Sequence, residues 1–346
     1  MLESDIRPAE LLEEYLRLSA LDAERLFSNG DTTETRNCPG CGSGGATIQY
    51  KKNKFDLVRC GQCDSLFVNP SPTEQALQLL YKNSPSAEYW ANIFMPAVAS
   101  SRREKIFKPR AKEILGLISR LGGIAAKIVD VGAGAGLLVE ELKALSPDAK
   151  ICAVEPGTEQ AARLRAKGIE TFEGYVEELS GDPRLTASAD LVICCELIEH
   201  VTDTLEFLRA LSGLAKPGGH ILITGLSASG FDIEVLGENS NAVSPPHHLT
   251  FLSRRGVESL VKRSGLKLVY FETPGKLDVD IVKNALNKDP KLEMDRFIRN
   301  LILESDQETR ESLQQFLSTS GLSSHMWAVI QNSVTIPETH NNDHNI

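Results

Sequence analysis

The chain has 346 residues, a net charge of −10 at pH 7, 41% hydrophobic residues and 24% charged residues. This composition predicts a folded soluble protein with a sizeable core, organised as one large domain or two. The acidic balance argues against a dedicated nucleic-acid binder, and no apolar run approaches the roughly 18 residues of a membrane span. The acidic, amphipathic N-terminus lacks the apolar core of a signal peptide, so we expect a cytoplasmic protein with reduced cysteines.

Residues 1–36 are predicted to form an N-terminal helical segment, because apolar and charged residues alternate at helical spacing. Two C-x2-C pairs follow within residues 37–70, formed by Cys38, Cys41, Cys60 and Cys63. Each pair presents two thiolates to one side, and two pairs complete the tetrahedral shell of a structural zinc ion. A redox C-x-x-C would open a helix in a βαβ unit, whereas short β-prone segments surround these pairs. We therefore predict a zinc ribbon without an open metal position.

Residues 71–115 are predicted to form a helical cap. Its aromatic residues and its basic stretch each have two interpretations. Its aromatic residues either cover the bound ligands or pack between the ribbon and the main domain; they are Tyr81, Tyr89, Trp90 and Phe94. The basic stretch SRREKIFKPRAK, residues 101–112, is either a solvated helix face or a site for an anionic substrate such as a nucleotide diphosphate.

From residue 116 to residue 335, segments typical of helices and strands alternate, which predicts an α/β doubly wound sheet. Seven strands are expected near residues 127–131, 151–155, 169–173, 190–195, 219–225, 266–272 and 324–332. The last two strands would form an antiparallel pair at the sheet edge. The residues between them, about 274–320, look helical and would form a lid or a dimer element. The polar tail, residues 336–346, is expected to be disordered.

A glycine-rich turn follows the first predicted strand, in the sequence VDVGAGAGLL. Asp130 ends this strand, and Gly132, Gly134 and Gly136 allow a tight turn that a ligand can approach closely. The helix that starts there would present backbone N–H groups to the ligand. Glu155 ends the next predicted strand, where a carboxylate can accept hydrogen bonds from both ribose hydroxyls of an adenosine.

The pattern D-x-G-x-G-x-G with a later strand-ending glutamate resembles the class I S-adenosylmethionine (SAM)-dependent methyltransferases. The alternative, a nicotinamide or flavin domain, requires G-x-G-x-x-G, but the third glycine comes one position early. The resemblance implies a Rossmann-like methyltransferase sheet whose glycine turn and Asp130 hold the methionine and ribose side of SAM, with Glu155 on the ribose. It also implies that Tyr175 and Val176 lie near the adenine, and that Cys195 and Glu196 lie near the transferred methyl group. An acidic residue is common in that family where Tyr175 stands.

The segment CELIEHV suggests a second metal. If the chain turns helical after Cys195, then Glu196, Glu199 and His200 fall at i, i+3 and i+4 on one face. Two carboxylates and an imidazole there would suit a hard cation such as Mg²⁺. The E-x-x-E-H pattern resembles two metal-dependent families, the small-RNA 2′-O-methyltransferases and the ubiquinone-biosynthesis O-methyltransferases. The small-RNA family takes a further histidine from a later loop, and the resemblance implies His248 for that ligand. The alternative is that acidic residues here only complement a helix dipole.

Histidines supply candidate general bases, because an acceptor hydroxyl must lose its proton as it attacks the methyl group. His248 is the first candidate, followed by His247 and His200. The alternative is that His247 and His248, which follow a Pro-Pro turn, only cap the next helix.

Residues 37–335 as a whole resemble the zinc-ribbon class I methyltransferases of bacterial glycan and nucleotide-sugar pathways, through CPGCG, RCGQCDSLFVNP and PPHHLTFLS. The sugar C-methyltransferases of this type carry a longer C-terminal domain, so O-methylation of a sugar hydroxyl is the preferred function. The alternatives are RNA ribose 2′-O-methylation, sugar C-methylation and a binding or assembly module without turnover. The expected partner is a sugar or nucleotide sugar, not nucleic acid, and a homodimer is an open alternative.

Overall fold

The structure, a computed structural model that describes residues 2–28 and 30–333, begins with a helix and a small antiparallel sheet. The first elements are α1 (Ala9–Leu26), β1 (Thr33–Glu34), β2 (Ala46–Lys52), β3 (Phe55–Cys60), β4 (Leu66–Val68) and β5 (Ser71–Pro72). Strands β2, β3 and β4 pair in order, and a fourth strand from the C-terminal half of the chain pairs with β4. The predicted ribbon therefore shares its sheet with a distant part of the chain. The tail predicted to be disordered, residues 336–346, lies outside the described residues.

A helix and a long helical rod follow the ribbon. The helices are α2 (Glu74–Asn83), α3 (Pro85–Tyr89), α4 (Met95–Arg102) and α5 (Lys108–Arg120), and π-helical turns at Trp90–Phe94 and Arg103–Phe107 separate the last three. Thr73 and Ser84 cap α2 and α3, since their hydroxyls accept hydrogen bonds from N–H groups in the first turns. We call α3 to α5 with their π-turns the cap rod.

The remaining strands form the central sheet and complete the small one. They are β6 (Lys127–Val131), β7 (Lys150–Glu155), β8 (Glu170–Glu173), β9 (Ala189–Cys195), β10 (Ala215–Leu226), β11 (Thr250–Phe251), β12 (Lys267–Glu272) and β13 (His325–Gln331). The central sheet has the order β12-β13-β10-β9-β6-β7-β8. Strands β6 to β10 run parallel, and β13 is antiparallel to both of its neighbours. The expected seven strands and the antiparallel edge pair are confirmed.

Helices cover both faces of the sheet. They are α6 (Leu137–Leu145), α7 (Thr158–Ala166), α8 (Val176–Leu179), α9 (Thr204–Leu214), α10 (Phe231–Leu236), α11 (Arg254–Arg263), α12 (Asp278–Lys288), α13 (Arg296–Leu303) and α14 (Gln307–Thr319). Along β10, Ile221 and Ile223 pack into one core and Leu222 into the other, since successive side chains of a strand point to opposite faces. Apolar residues on both faces are typical of a buried parallel sheet.

The segment between β12 and β13 contains α12, α13 and α14, which form a separate small core with α10. Its role as a lid or a dimer element stays a prediction. None of the helices in the described ranges is long and apolar enough to cross a membrane.

The side chain of Arg36 joins the ribbon to the rest of the protein. Its guanidinium donates hydrogen bonds to the carbonyls of Thr202 (2.6 Å), Leu249 (2.9 Å) and Val68 (3.3 Å) and to the hydroxyl of Thr250 (3.2 Å). Burial lowers the pKa of Arg36 to about 10. These acceptors come from three separate segments, so one cation holds the ribbon, the loop that precedes α9 and the strand β11 together.

We expect Arg36→Met to lower the free energy of unfolding by about 2–4 kcal/mol, because it leaves several partly buried acceptors without donors. Urea denaturation at pH 7 measures this. Arg17→Met is the control: Arg17 pairs only with Glu14 on the exposed face of α1, so no measurable change is expected. Equal stabilities for the two variants would contradict the role assigned to Arg36.

Candidate active site and metal centres

The glycine turn joins β6 to α6 with a backbone that residues bearing a side chain rarely adopt. Gly132, Gly134 and Gly136 have φ values of 75°, 52° and 76°. A Cβ at Gly136 would lie 2.5 Å from the side chain of Leu164, so the turn packs tightly against α7. At Gly134 an added Cβ would meet no described atom within 4 Å. The turn is therefore closed on the protein side and open where a ligand would approach.

The carboxylate of Glu155 is fixed against this turn. Its Oε2 accepts a hydrogen bond from the Gly134 N–H (2.8 Å), and its Oε1 accepts one from the Gly157 N–H (2.9 Å). Each carboxylate oxygen keeps a further lone pair that can accept a hydroxyl. Burial raises the pKa of Glu155, and the two N–H donors oppose that shift.

Asp130 lies beside Glu155 at the end of β6 and is only 3% exposed. Burial and the neighbouring Glu155 raise its pKa to about 7, while Arg110 acts in the opposite direction. The cofactor side of the site therefore holds two carboxyl groups whose charge depends on what binds beside them.

Four further residues predicted to bind the cofactor also lie at the carboxyl ends of central strands. Tyr175 precedes α8 and is 37% exposed, whereas the side chain of Val176 is buried in the core. Cys195 ends β9, where burial raises its pKa to about 12, and Glu196 follows it.

The prediction of a helix directly after Cys195 is wrong. Glu196 has a left-handed backbone with φ of 52°, and its N–H continues the sheet by donating to the Thr224 carbonyl. Only a short 3₁₀ turn, Ile198–His200, follows. The Glu196 carboxylate instead lies 3.1 Å from Arg110 Nη2 and 3.4 Å from His325 Nδ1. The surrounding protein opposes its ionisation, but His325 and Arg110 outweigh this and hold the pKa of Glu196 well below its usual range.

The structure brings three of the four residues predicted to bind the second metal together. Glu199, His200 and His248 offer ligand atoms that all lie within 4.8 Å of one another, and Glu196 is not in this group. Glu199 is 2% exposed, and its Oε2 is buried without a hydrogen-bond partner among the described residues. A Cβ at Gly225 would lie 2.8 Å from that oxygen, so this glycine makes room for the carboxylate. An unpaired buried carboxylate oxygen beside two imidazoles fits a divalent cation.

One nitrogen of each imidazole in this cluster is already engaged. His248 Nδ1 donates to the Ala242 carbonyl at 2.6 Å, which leaves its Nε2 with the free lone pair. His200 Nδ1 lies 2.9 Å from the Tyr81 hydroxyl. The surrounding protein disfavours the charged imidazolium, which lowers the pKa of His248 to about 4 and the pKa of His200 well below its usual value. Both rings are therefore neutral at pH 7.

His247 points away from the cluster, although it follows the same Pro-Pro turn. Its Nε2 lies 2.9 Å from the Ser86 hydroxyl on the cap rod, and its ring is 5.5 Å from Tyr15 of α1. Burial lowers its pKa to about 3. The histidine therefore joins the N-terminal helices to the site, and His248 is better placed for chemistry.

The structure gives two kinds of contact for the aromatic residues of the cap, and covering of a bound ligand stays a prediction. Trp90 stacks on Phe94 at 4.4 Å and packs against Tyr15 at 4.9 Å, which is structural packing with α1. The Tyr81 hydroxyl reaches His200. The contribution of Tyr15 was missed, because at helical spacing it could not be distinguished from ordinary packing.

The four predicted zinc ligands also form a compact group. Cys38 and Cys63 have sulfur atoms 3.4 Å apart, Cys41 and Cys60 have theirs 3.5 Å apart, and all four lie within 4.8 Å of one another. Tetrahedral zinc with Zn–S bonds of about 2.3 Å requires sulfur separations of about 3.8 Å. The cluster therefore fits a structural zinc ion.

Comparison with known proteins identifies the family. A family model described as "Methyltransferase domain" matches residues 92–270, which is more than half of the chain. The chain belongs to this methyltransferase family. SAM is the cofactor that the family implies, and the glycine turn with Asp130 and Glu155 fits it. The predicted methyltransferase is thus confirmed at the level of family and fold, whereas the glycan-pathway resemblance is not.

Curated relatives are similar over part of their length. The ubiquinone biosynthesis O-methyltransferase of Xanthomonas axonopodis is 29% identical over 160 residues, which cover 43% of this chain and 66% of that protein. The Photorhabdus laumondii enzyme of the same name is 35% identical over 113 residues, 31% of this chain and 46% of that protein. The match thus spans less than two thirds of either relative. A SAM-dependent methyltransferase structure from Archaeoglobus fulgidus is 12% identical, with a TM-score of 0.43, over 64% of this chain and 94% of that one.

We expect the methyltransferase to contain one zinc ion per chain, measured by elemental analysis of the purified protein. Removing zinc with a strong chelator, or the substitution Cys38→Ser, should lower the melting temperature, because four close thiols repel once deprotonated without a cation. Cys152→Ala changes a buried thiol outside the cluster and should keep its zinc. Full stability of zinc-free protein would refute the ribbon assignment.

Proposed function

We propose that this protein is a SAM-dependent O-methyltransferase whose acceptor is a hydroxyl group, with a sugar hydroxyl as the first candidate. The observation that carries the proposal is the cluster of Glu199, His200 and His248, which gathers two neutral imidazoles and an unpaired carboxylate oxygen near the end of β9. Such a cluster suits an acceptor that must lose a proton, because neutral imidazole can accept one.

On the cofactor side, bound SAM would supply an electrophilic methyl group on a sulfonium. Asp130 and the glycine turn would hold the amino-acid and ribose end, and Glu155 would accept hydrogen bonds from the ribose hydroxyls. Glu155 is already oriented by the N–H groups of Gly134 and Gly157, so little rearrangement is needed. Most of the rate enhancement in such a displacement comes from positioning the acceptor in line with the methyl group.

On the acceptor side, His248 is the preferred base. Its Nδ1–H donates to Ala242, so Nε2 carries the lone pair that would take the hydroxyl proton. Its low pKa makes it a weak base, which suits proton removal late in the transfer or from an acidified hydroxyl. Alternatively, a divalent cation such as Mg²⁺, held by Glu199, His200 and His248, would lower the pKa of the bound hydroxyl, and His248 Nε2 would then be a metal ligand and not the base.

A sugar acceptor is preferred because the ribbon and the PPHHLTFLS segment resemble the methyltransferases of glycan pathways. A phenolic hydroxyl is the second candidate, because the E-x-x-E-H segment resembles the ubiquinone-biosynthesis O-methyltransferases and the curated relatives carry that name. RNA ribose methylation is disfavoured by the net charge of −10.

The proposal is tested by methyl transfer from isotopically labelled SAM. The acceptors are nucleotide sugars, catechols and short RNAs, each assayed once with Mg²⁺ and once with EDTA. Label in a nucleotide sugar supports the first candidate, and Mg²⁺-dependent label in a catechol supports the second. Label in RNA alone, or methylation on carbon, would overturn both.

His248→Ala should lower kcat by about 10²-fold or more. The control is His220→Gln, whose kcat should not change, because His220 pairs with Leu191 near the start of β9 whereas the cluster follows the end of that strand.

The pH dependence of cofactor binding follows from Asp130, whose pKa is raised to about 7 before the cofactor binds. The α-ammonium group, which SAM and SAH share, favours the ionised carboxylate of Asp130, so the affinity is full above pH 7 and falls as the pH drops and Asp130 takes up a proton. From pH 8 to pH 6 we expect about a tenfold loss of affinity for S-adenosylhomocysteine (SAH), measured by calorimetry. Asp130→Asn should bind SAH more weakly, and its affinity should not change with pH. An unchanged profile in the variant would remove Asp130 from the cofactor site.

A further inference from the structure

Two arginines near the proposed acceptor site have no counter-ion. Arg7 precedes α1, and Arg102 ends α4 just before a π-helical turn. Among the described residues neither guanidinium has a hydrogen-bond acceptor or an ion-pair partner, and Arg102 Nε is buried without a hydrogen bond. The Arg102 guanidinium lies 6.0 Å from the centroid of the Phe107 ring, which is not an anion. Both side chains are half-buried. A cation removed from water without an acceptor is costly, so natural proteins rarely keep one without a ligand.

The neighbouring arginine of the same helical rod is fully paired. Arg103 contacts Glu140 and Glu141 of α6 through separate nitrogens. Lys105 of the following turn pairs with Asp5 at 2.6 Å, and the Ser101 hydroxyl donates to the Asp5 carbonyl. These contacts hold the segment that carries Arg7 against the segment that carries Arg102. The two unpaired guanidiniums are therefore positioned by the fold.

The electrostatic surroundings of these two arginines are cationic. Burial, Arg7 and Arg110 together lower the pKa of Arg102 to about 10, with Glu196 opposing them. Glu196 is already paired with Arg110, so it does not neutralise the other two arginines. Asp232 lies within electrostatic range of Arg7, but burial and Asp278 raise its pKa to about 7, which makes it a poor counter-ion.

Electrostatic contributions connect these arginines to the acceptor side. Arg7 and Lys52 both lower the pKa of His248, the preferred base. Arg110 opposes the rise in the pKa of Asp130 on the cofactor side, contacts Glu196 at 3.1 Å and also acts on Arg102. Arg110 therefore connects the two sides.

We propose that Arg7 and Arg102, assisted by Arg110, bind a carboxylate or phosphate group of the acceptor. This inference rests on the proposed function and narrows it, because it excludes a neutral sugar and favours an acceptor such as a nucleotide sugar. A guanidinium matches both anions through two parallel N–H donors, and π-helical turns such as the one beside Arg102 are frequent at functional sites. The same chemistry could serve the carboxylate of the cofactor, and the experiment separates the two sources.

Anion binding is tested by calorimetry. Pyrophosphate and malonate are titrated separately into the SAH-saturated protein. We expect one of the two anions to bind, and Arg102→Met and Arg7→Met each to weaken that binding at least tenfold. Arg103→Met, which changes the paired neighbour, should bind the anion as the unchanged protein does. Arg102→Lys keeps the charge but loses the double donor, so an intermediate affinity is expected. If Arg102→Met does not fold, the anion affinity of Arg102→Lys tests the role of Arg102 instead.

The affinities for two nucleosides show whether the arginines bind an anion of the acceptor or the carboxylate of the cofactor. SAH carries a carboxylate and 5′-methylthioadenosine does not, so Arg102→Met should leave the affinity for both unchanged. Loss of SAH affinity with intact methylthioadenosine affinity would assign the arginines to the cofactor and overturn the proposal. Failure of the unchanged protein to bind either anion would also overturn it. A failure of the proposed function is recognised separately, as absence of SAH binding by the unchanged protein.

Stability gives an independent readout. Because Arg102 is an uncompensated cation, Arg102→Met should raise the melting temperature of the anion-free protein and abolish the further increase produced by pyrophosphate. A lower melting temperature in the variant, with anion stabilisation retained, would show that Arg102 serves the fold and not a ligand.

Discussion

The withdrawal of charged groups from water at the carboxyl ends of β6, β7 and β9 is the constraint on which this site depends. The N-terminal helix and the cap rod cover these strand ends, so each titratable group there must find a partner or change its protonation. Glu196 finds Arg110 and His325, and its carboxylate stays charged. Asp130 has no cation in direct contact, and its pKa rises to about 7. The covering elements thus decide which groups remain available for chemistry.

The covering elements are themselves held by polar contacts between distant segments. Arg36 binds carbonyls of the segments around Thr202 and Leu249, and β11 adds a strand to the ribbon sheet. A zinc ion bound by the ribbon would stiffen this support, and its effect would extend to His248, which stands just before β11. The ribbon is therefore part of the framework of the active site and not an independent attachment.

Two sequence hypotheses changed once burial and partners were known. E-x-x-E-H predicted one helical face with both glutamates, but the Glu196 N–H stays in the sheet ladder with Thr224, and a helix cannot begin there. The sequence offered both His248 and His247 as candidate bases, with His248 ranked first. The structure gives His247 a hydroxyl partner on the cap rod and leaves His248 Nε2 free. In both cases the deciding partner lies far away in the chain.

The sequence alone determined the seven strands, the glycine turn with Asp130 and Glu155, and the two C-x2-C pairs, because each depends on periodicity or spacing within a short segment. Tertiary structure decided the partners: Tyr81 contacts His200, Arg36 contacts Thr202, and Arg102 has no counter-ion within residues 2–28 and 30–333. These relations join residues more than one hundred positions apart or depend on burial. Spacing within a segment cannot specify either, because both are set only when the separate elements pack.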